Sequence, residues 1–210
     1  MPTRPFSVYI IESPSGEDLY HQRSEAQRLQ DGLDLIGIQS TSRAVDSRAR
    51  LEAAIAECTE HATRGWTPLA LHVSSHGGSP GIQLTDNNIV TWNEFRDLLA
   101  PLSKATNGDL LVCMSSCQGV HGVKMAMDFG PLPFSVIVGP TEQLSYADTA
   151  IAFLAFYHLV AKGYPFDQAV SAMSLAAGQS FTFVSSEVAK DMFMKEFYAT
   201  QFNNSLQSMQ

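Results

Sequence analysis

His76 and Cys117 are the two side chains in this sequence whose types and settings best suit covalent chemistry. His76 stands in "HVSSHGGSP" (72–80), at the end of the apolar run "PLALHV". Cys117 stands in "CMSSCQG" (113–119), at the end of the apolar run "DLLVCM", 41 residues further on. A thiol becomes an effective nucleophile near neutral pH when a base takes its proton. Imidazole is suited to that task because it titrates near neutrality. Neighbouring strands lie about 4.8 Å apart, so groups at the tips of two adjacent strands could share one cleft. Gly77 and Gly78 take side chains away from the backbone beside His76. A substrate carbonyl could then approach, and the N–H of Gly77 could hold an oxyanion together with the N–H of Cys117. Gly119 lets the chain turn away after the cysteine.

The other cysteines and histidines have plainer roles. Cys113 lies inside an apolar run and Cys58 lies on a helical stretch, so both read as small buried hydrophobes. His72 falls within a strand and reads as packed; His121 follows Cys117 by four residues and lacks a flanking glycine pair. Zinc held by some of His76, Cys113, Cys117 and His121 is conceivable, but no compact Cys-x-x-Cys or His-x-x-x-His pair supports it. No Gly-x-Gly-x-x-Gly follows the first strand, which disfavours a dinucleotide. The expectation is a site without metal or cofactor.

The elements that must position this pair alternate along the chain. Strands are expected at 6–12, 35–45, 67–74, 109–116 and 134–139, with an edge strand at 181–184. Helices are expected at 16–33, 47–64 with Asp46 as cap, 91–102, 145–163, 165–177 and 186–201. Between the histidine and cysteine strands, "GIQLTDNNIVTW" (81–92) reads as a small hairpin or an extended excursion turning at 86–88. "TWNE" (91–94) is a capping box that starts the next helix. Short apolar strands separated by helices imply right-handed crossovers. The fold class is therefore α/β: a three-layer α/β/α sandwich around a mostly parallel six-stranded sheet, forming one domain over 1–203 with a polar tail at 204–210. Ligands of such sheets gather at the carboxyl ends of the strands, where both His76 and Cys117 fall.

Composition narrows the class. The 210 residues are 45% hydrophobic and 16% charged, enough for one sizeable core. A net charge of −8 with scattered Lys and Arg argues against nucleic acid. No apolar run reaches the roughly 18 residues of a membrane span. Three sparse cysteines and no signal-peptide pattern at the start fit a reducing cytoplasm.

The pair "LALHVSSHGG" and "DLLVCMSSCQG" resembles the histidine and cysteine blocks of the caspase-like cysteine peptidases, a group that includes caspases, metacaspases, gingipains, separase and the bacterial CHAT-type proteases. The segments "GIQLTDNNIVTWNEFRDLL" and "VIVGPTEQLSYADTAIAFLAFYHLVAKG" are similar to the CHAT-type branch. The resemblance implies a cysteine endopeptidase acting on protein or peptide substrates, with Cys117 as nucleophile, His76 as general base and acid, and Gly77 and the Cys117 amide as oxyanion contacts. It also implies an effector or subunit in a bacterial defence or signalling system. Ser115 and Ser116 depart from the caspase Gln-Ala before the cysteine, and Ser115 from the metacaspase aspartate, so neither specificity carries over. Candidates for the substrate pocket are Ser115, Glu12, Glu142 and Asp148, with Asp18 as a further acidic group; Asp148 also fits a helix start behind Ser145. Acidic loops without arginine argue against acidic residues at the cleavage site and for basic or small polar ones. The edge strand near Phe181–Val184 is a candidate surface for a homodimer or a regulatory partner. The competing expectation is a catalytically silent caspase-like domain that binds or scaffolds.

Overall fold

A computed structural model of the chain describes residues 6–65 and 69–207, with the side chains of residue 146 and of 201–207 outside that description. In chain order the elements are β1 (Ser7–Ser13), α1 (Gly16–Tyr20), α2 (Glu25–Leu35), β2 (Gln39–Ala44), α3 (Arg48–Thr63), β3 (Leu69–Gly78), β4 (Gly81–Gln83), β5 (Ile89–Thr91) and α4 (Trp92–Ala105). Then come β6 (Leu110–Ser115), a 3₁₀ helix (Gly119–Ala126), β7 (Val136–Pro140), α5 (Tyr146–Ala161), α6 (Phe166–Ala177), β8 (Phe181–Ser185) and α7 (Ser186–Gln207). The main sheet has six strands in the order β2-β1-β3-β6-β7-β8, parallel except for the β7–β8 pair. The fold is the expected three-layer α/β/α sandwich. The hairpin β4–β5 hangs from the distal end of β3.

Period-two alternation divides the strands between two cores. Val8 and Ile10 of β1 pack with Leu29 and Leu33 of α2, Phe153 and Phe156 of α5 and Met173 of α6. Tyr9 and Ile11 face the other way, with Leu51 and Ile55 of α3, Phe95 and Leu99 of α4 and Met125. β3 lies in the middle, covered on both faces, so its residues from Leu69 to Ser75 are all buried. A central strand of this kind reads as a continuous apolar run.

Several boundaries differ from expectation for local reasons. The helix expected over 16–33 is two helices. Ser15 caps α1 through a capping box with Asp18, the backbone of Gln22 turns left-handed at φ 52°, and Ser24 caps α2 by accepting from Gln27 N–H at 3.1 Å. Asp46 does not cap α3: the cap position is Ser47, and Asp46 accepts from Ser47 Oγ and pairs with Arg50. β3 runs on to Gly78, because the hairpin returns and pairs His76 with Gln83 and Gly77 with Ile82. Residues 67–68 of the expected third strand lie outside the described residues. α7 extends to Gln207, past the expected end at 201 and through part of the supposed tail. The capping box Thr91–Glu94 and the turn at 86–88 are as expected.

Candidate active site

β3 and β6 are direct neighbours, in parallel register from Leu69↔Leu110 to Ser74↔Ser115. That pairing carries His76 and Cys117 past the last paired residues on adjacent strands. Both line one small cavity of about 70 Å³, together with Glu25, Ser115, Ser116 and Leu144. Cys117 is half-buried, whereas Cys58 and Cys113 are fully buried. Burial pushes the Cys113 thiol up to about 12 and raises that of Cys58 further still. Cys117 is therefore the only thiol of the chain open to a reagent.

The backbone around Cys117 is shaped by close packing. Gln118 is left-handed at φ 55°, which starts a tight turn. Gly119 then passes so near β6 that an added Cβ would stand 2.7 Å from Met114 O. Gly77 abuts Ser116; a Cβ there would meet Ser116 Cβ and Oγ at 3.1 Å. These contacts explain why both positions are glycine. Gln118 N–H donates to Glu142 O at 3.1 Å and Gly119 N–H to Ser116 O at 2.8 Å. The N–H of Cys117 makes no hydrogen bond among the described residues, so it can receive a developing oxyanion.

His76 is half exposed on the cavity's rim, and its Nε2 lies 3.8 Å from Asp18 Oδ2. Asp18 itself is buried and held. Ser15 Oγ donates to its Oδ2 at 2.5 Å, Ser15 N–H donates to the same oxygen at 3.2 Å, and Arg23 Nε reaches Oδ1 at 3.0 Å. Burial raises the Asp18 pKa, but the two Ser15 hydrogen bonds, Arg23 and His76 outweigh it and hold the carboxyl below its usual range. A second hollow of about 230 Å³ opens on the other side of His76, lined by Ser13, Pro14, Gln83 and Thr85 among others. A further hollow, about 670 Å³, lies at the far end of the sheet around the Arg96–Asp128 ion pair. It holds neither a cysteine nor a histidine.

The candidate pocket residues occupy different places. Ser115 lines the cavity. Glu12 does not: its carboxylate accepts from Ser24 Oγ at 2.7 Å and from the N–H groups of Glu25 (2.6 Å) and Ala26 (3.1 Å), so it caps the start of α2. Asp148 engages Ser145 at the start of α5, and it is Ser145 that lines the cavity. Glu142 is exposed and contributes its carbonyl to Gln118. His121 is half-buried on the 3₁₀ helix and does not line the cavity.

Glu25 is the residue that the sequence reading passes over. It is 2% exposed, and its two carboxylate oxygens accept from Ser74 Oγ and Ser115 Oγ at 2.7 Å each. His72 Nε2 stands 3.5 Å away, and His72 Nδ1 shares a 3.0 Å hydrogen bond with the Tyr157 hydroxyl. A signal for it existed: "SEAQ" (24–27) has the Ser-x-x-Gln spacing of a helix start and would have placed Glu25 in a first turn. Among the described residues no group of three or more His, Cys, Asp or Glu converges to hold a metal ion. No helix of the described residues is long and apolar enough to cross a membrane.

No protein-family model matches the chain, and no curated protein matches it either. The class that the structure defines is the open, mostly parallel α/β/α sandwich with a polar cleft at the carboxyl ends of its central strands.

Proposed function

We propose that the chain is a cysteine endopeptidase of the caspase-like kind, with Cys117 as nucleophile and His76 as general base and acid. The observation that carries this reading is the shared cavity: the one accessible thiol and an exposed imidazole line it from adjacent strand ends, with an uncommitted backbone N–H at the thiol.

The steps follow from those positions. His76 takes the Cys117 thiol proton, and the sulfur forms a bond to the carbonyl carbon of the scissile amide. The carbonyl oxygen becomes an oxyanion and accepts from the Cys117 N–H, with the Gly77 N–H as the second expected donor. As the tetrahedral species collapses, the C–N bond breaks and His76 delivers its proton to the leaving amine. Water then attacks the thioester carbon and gives a proton to His76; the C–S bond breaks, His76 returns that proton to the sulfur, and the carboxylic acid product leaves. Asp18 acts as a positioning residue. Its carboxylate, 3.8 Å from Nε2, favours the imidazolium that forms in each half of the reaction. A role in bacterial defence or signalling belongs to the same reading, as does a cytoplasmic location.

Peptide hydrolysis tests it. Wild type is expected to cleave members of a library that varies the residue before the scissile bond, and Cys117→Ala and His76→Ala each to lose about 10⁴-fold in kcat while keeping the wild-type circular dichroism spectrum. Full activity in Cys117→Ala would overturn the reading. A folded wild type that cleaves nothing, with a Cys117 that resists alkylation, would favour a silent binding domain.

A further inference from the structure

The ladder between β3 and β6 ends at Ser74 opposite Ser115. Beyond that row the two strands part. β3 follows the hairpin, with His76 opposite Gln83, and β6 enters the left-handed turn at Gln118. His76 and Cys117 each lie two residues past the row, so no ladder pairing sets one tip against the other. A side chain from outside the sheet does. The Glu25 carboxylate accepts from Ser74 Oγ and from Ser115 Oγ at 2.7 Å each. An ionised carboxylate only accepts, so both hydroxyls point at it and their rotors are fixed. The same row continues into β1, where Glu12 stands opposite Ser74 and holds the N–H groups of Glu25 and Ala26. The first turn of α2 is thus tied to β1, β3 and β6 at one level, just beneath the imidazole and the thiol.

Packing does not account for this arrangement. Glu25 is 2% exposed, and no Lys or Arg of the described residues pairs with it; the fully buried His72 ring faces it at 3.5 Å. Burying a charge is costly, and apolar residues of similar volume in such a place are often neutral or stabilising. An apolar row fits this layer: Ala70 opposite Leu111, four residues earlier on the same face, packs into the core beneath α2 and α5. A fixed stagger between two strand tips is, however, what a thiol and its base require. A displacement of about 1 Å at such a pair can cost about 100-fold in rate.

We infer that Glu25 is the positioning residue of the site: by clasping Ser74 and Ser115 it holds His76 within reach of the Cys117 thiol. The inference rests on the reading of Cys117 and His76 as the reacting pair and concerns how that pair is held.

The test is a double-mutant cycle read at Cys117. Ser74 lies on the other strand and does not line the cavity, so its effect on the thiol reports what passes through Glu25. Alkylation of Cys117 by iodoacetamide at neutral pH is followed by peptide mapping. Ser74→Ala is expected to slow it about tenfold in the otherwise native chain and less than about twofold in Glu25→Gln. Glu25→Gln alone is expected to slow it about 30-fold, and in peptide hydrolysis to lower kcat by about the same factor with KM within about threefold. Should Glu25→Gln fail to fold, Ser74→Ala and Ser115→Ala close the cycle: either one opens the clasp, so the double variant should alkylate within about threefold of each single. Equal slowing by Ser74→Ala with and without Glu25, or multiplicative losses in the serine pair, overturns the inference. So does a Glu25→Gln that raises KM and leaves kcat unchanged, which would make Glu25 a substrate contact. Wild type that alkylates rapidly at Cys117 and cleaves no peptide removes the peptidase reading and leaves the cycle to decide this one. A Cys117 that alkylates no faster than Cys58 overturns both.

Discussion

The same two residue types occur twice on the same two strands, at the same separation: His72 with Cys113, and His76 with Cys117, each 41 residues apart. The first pair is in direct register, His72 opposite Cys113, in the interior of the sheet. Both members are fully buried, and the Tyr157 hydroxyl hydrogen-bonds His72 Nδ1 at 3.0 Å. The second pair lies four residues further along each strand, where glycines thin the backbone and a cavity opens. What separates a structural pair from a candidate catalytic one is access and a free backbone donor. Residue identity and spacing are the same in both. In the interior, desolvation keeps a thiol protonated.

Exchanging the roles of the two pairs gives the largest expected effect. Cys113→Ala is expected to keep kcat/KM within about threefold of wild type in a peptidase assay while lowering stability by about 1–2 kcal/mol in urea unfolding, the scale of a small buried deletion. A loss as deep as that of Cys117→Ala would erase the distinction. Iodoacetamide at neutral pH comes next: Cys117 should alkylate at least about 100-fold faster than Cys58 or Cys113 by peptide mapping. Comparable rates for all three would mean that the interior pair opens to solvent. Smaller again is the effect of Asp18→Asn. It should lower kcat/KM about tenfold and move the acid limb of the pH–rate profile to lower pH, because the charge that favours a protonated ring 3.8 Å away is gone. A tenfold loss with an unmoved profile would make Asp18 purely structural.

The same aspartate carries a stability signature of known sign. Its folded pKa is depressed below 3.8, so the contribution is fully present above that value and is lost as pH falls through the lower folded value. Urea midpoints measured between about pH 5 and pH 2 should therefore fall less steeply in Asp18→Asn than in wild type. The interior pair offers the smallest contrast. Tyr157→Phe removes the hydroxyl that hydrogen-bonds His72 and is expected to cost about 1–2 kcal/mol of stability, with the Cys117 alkylation rate unchanged.

The chain order of strands and helices was legible because β1, β3, β6 and β7 are short, mostly apolar runs and because helices such as α4 and α5 start behind a recognisable cap, Thr91 and Ser145. The strand ends followed from that, and with them His76 and Cys117. The pocket was harder. Residues 16–33 carry an unbroken amphipathic pattern with no proline, so the break at Gln22 stayed hidden, and with it the helix start that places Glu25. A left-handed turn at a glutamine leaves little trace in composition. Glu12 and Asp148 attracted notice as carboxylates in loops, but each serves a helix N-terminus, a local use that spacing alone reveals only when the cap residue is recognised first. The glycines after His76 suggested the end of a strand; their pairing with Ile82 and Gly81 depends on a hairpin partner that no local signal supplies.

The reversal of the last strand decides where the last helix begins. Because β8 runs against β7, with Pro140 opposite Phe181 and Val136 opposite Ser185, the polypeptide is returned to the pole farthest from Cys117 before α7 begins. Ser186 is moored there, its hydroxyl and amide donating to the carbonyls of Phe134 and Ser135. The last helix thus begins at the floor of the molecule, on the opposite side of the sheet's strand ends from the mouth of the cavity beside Cys117.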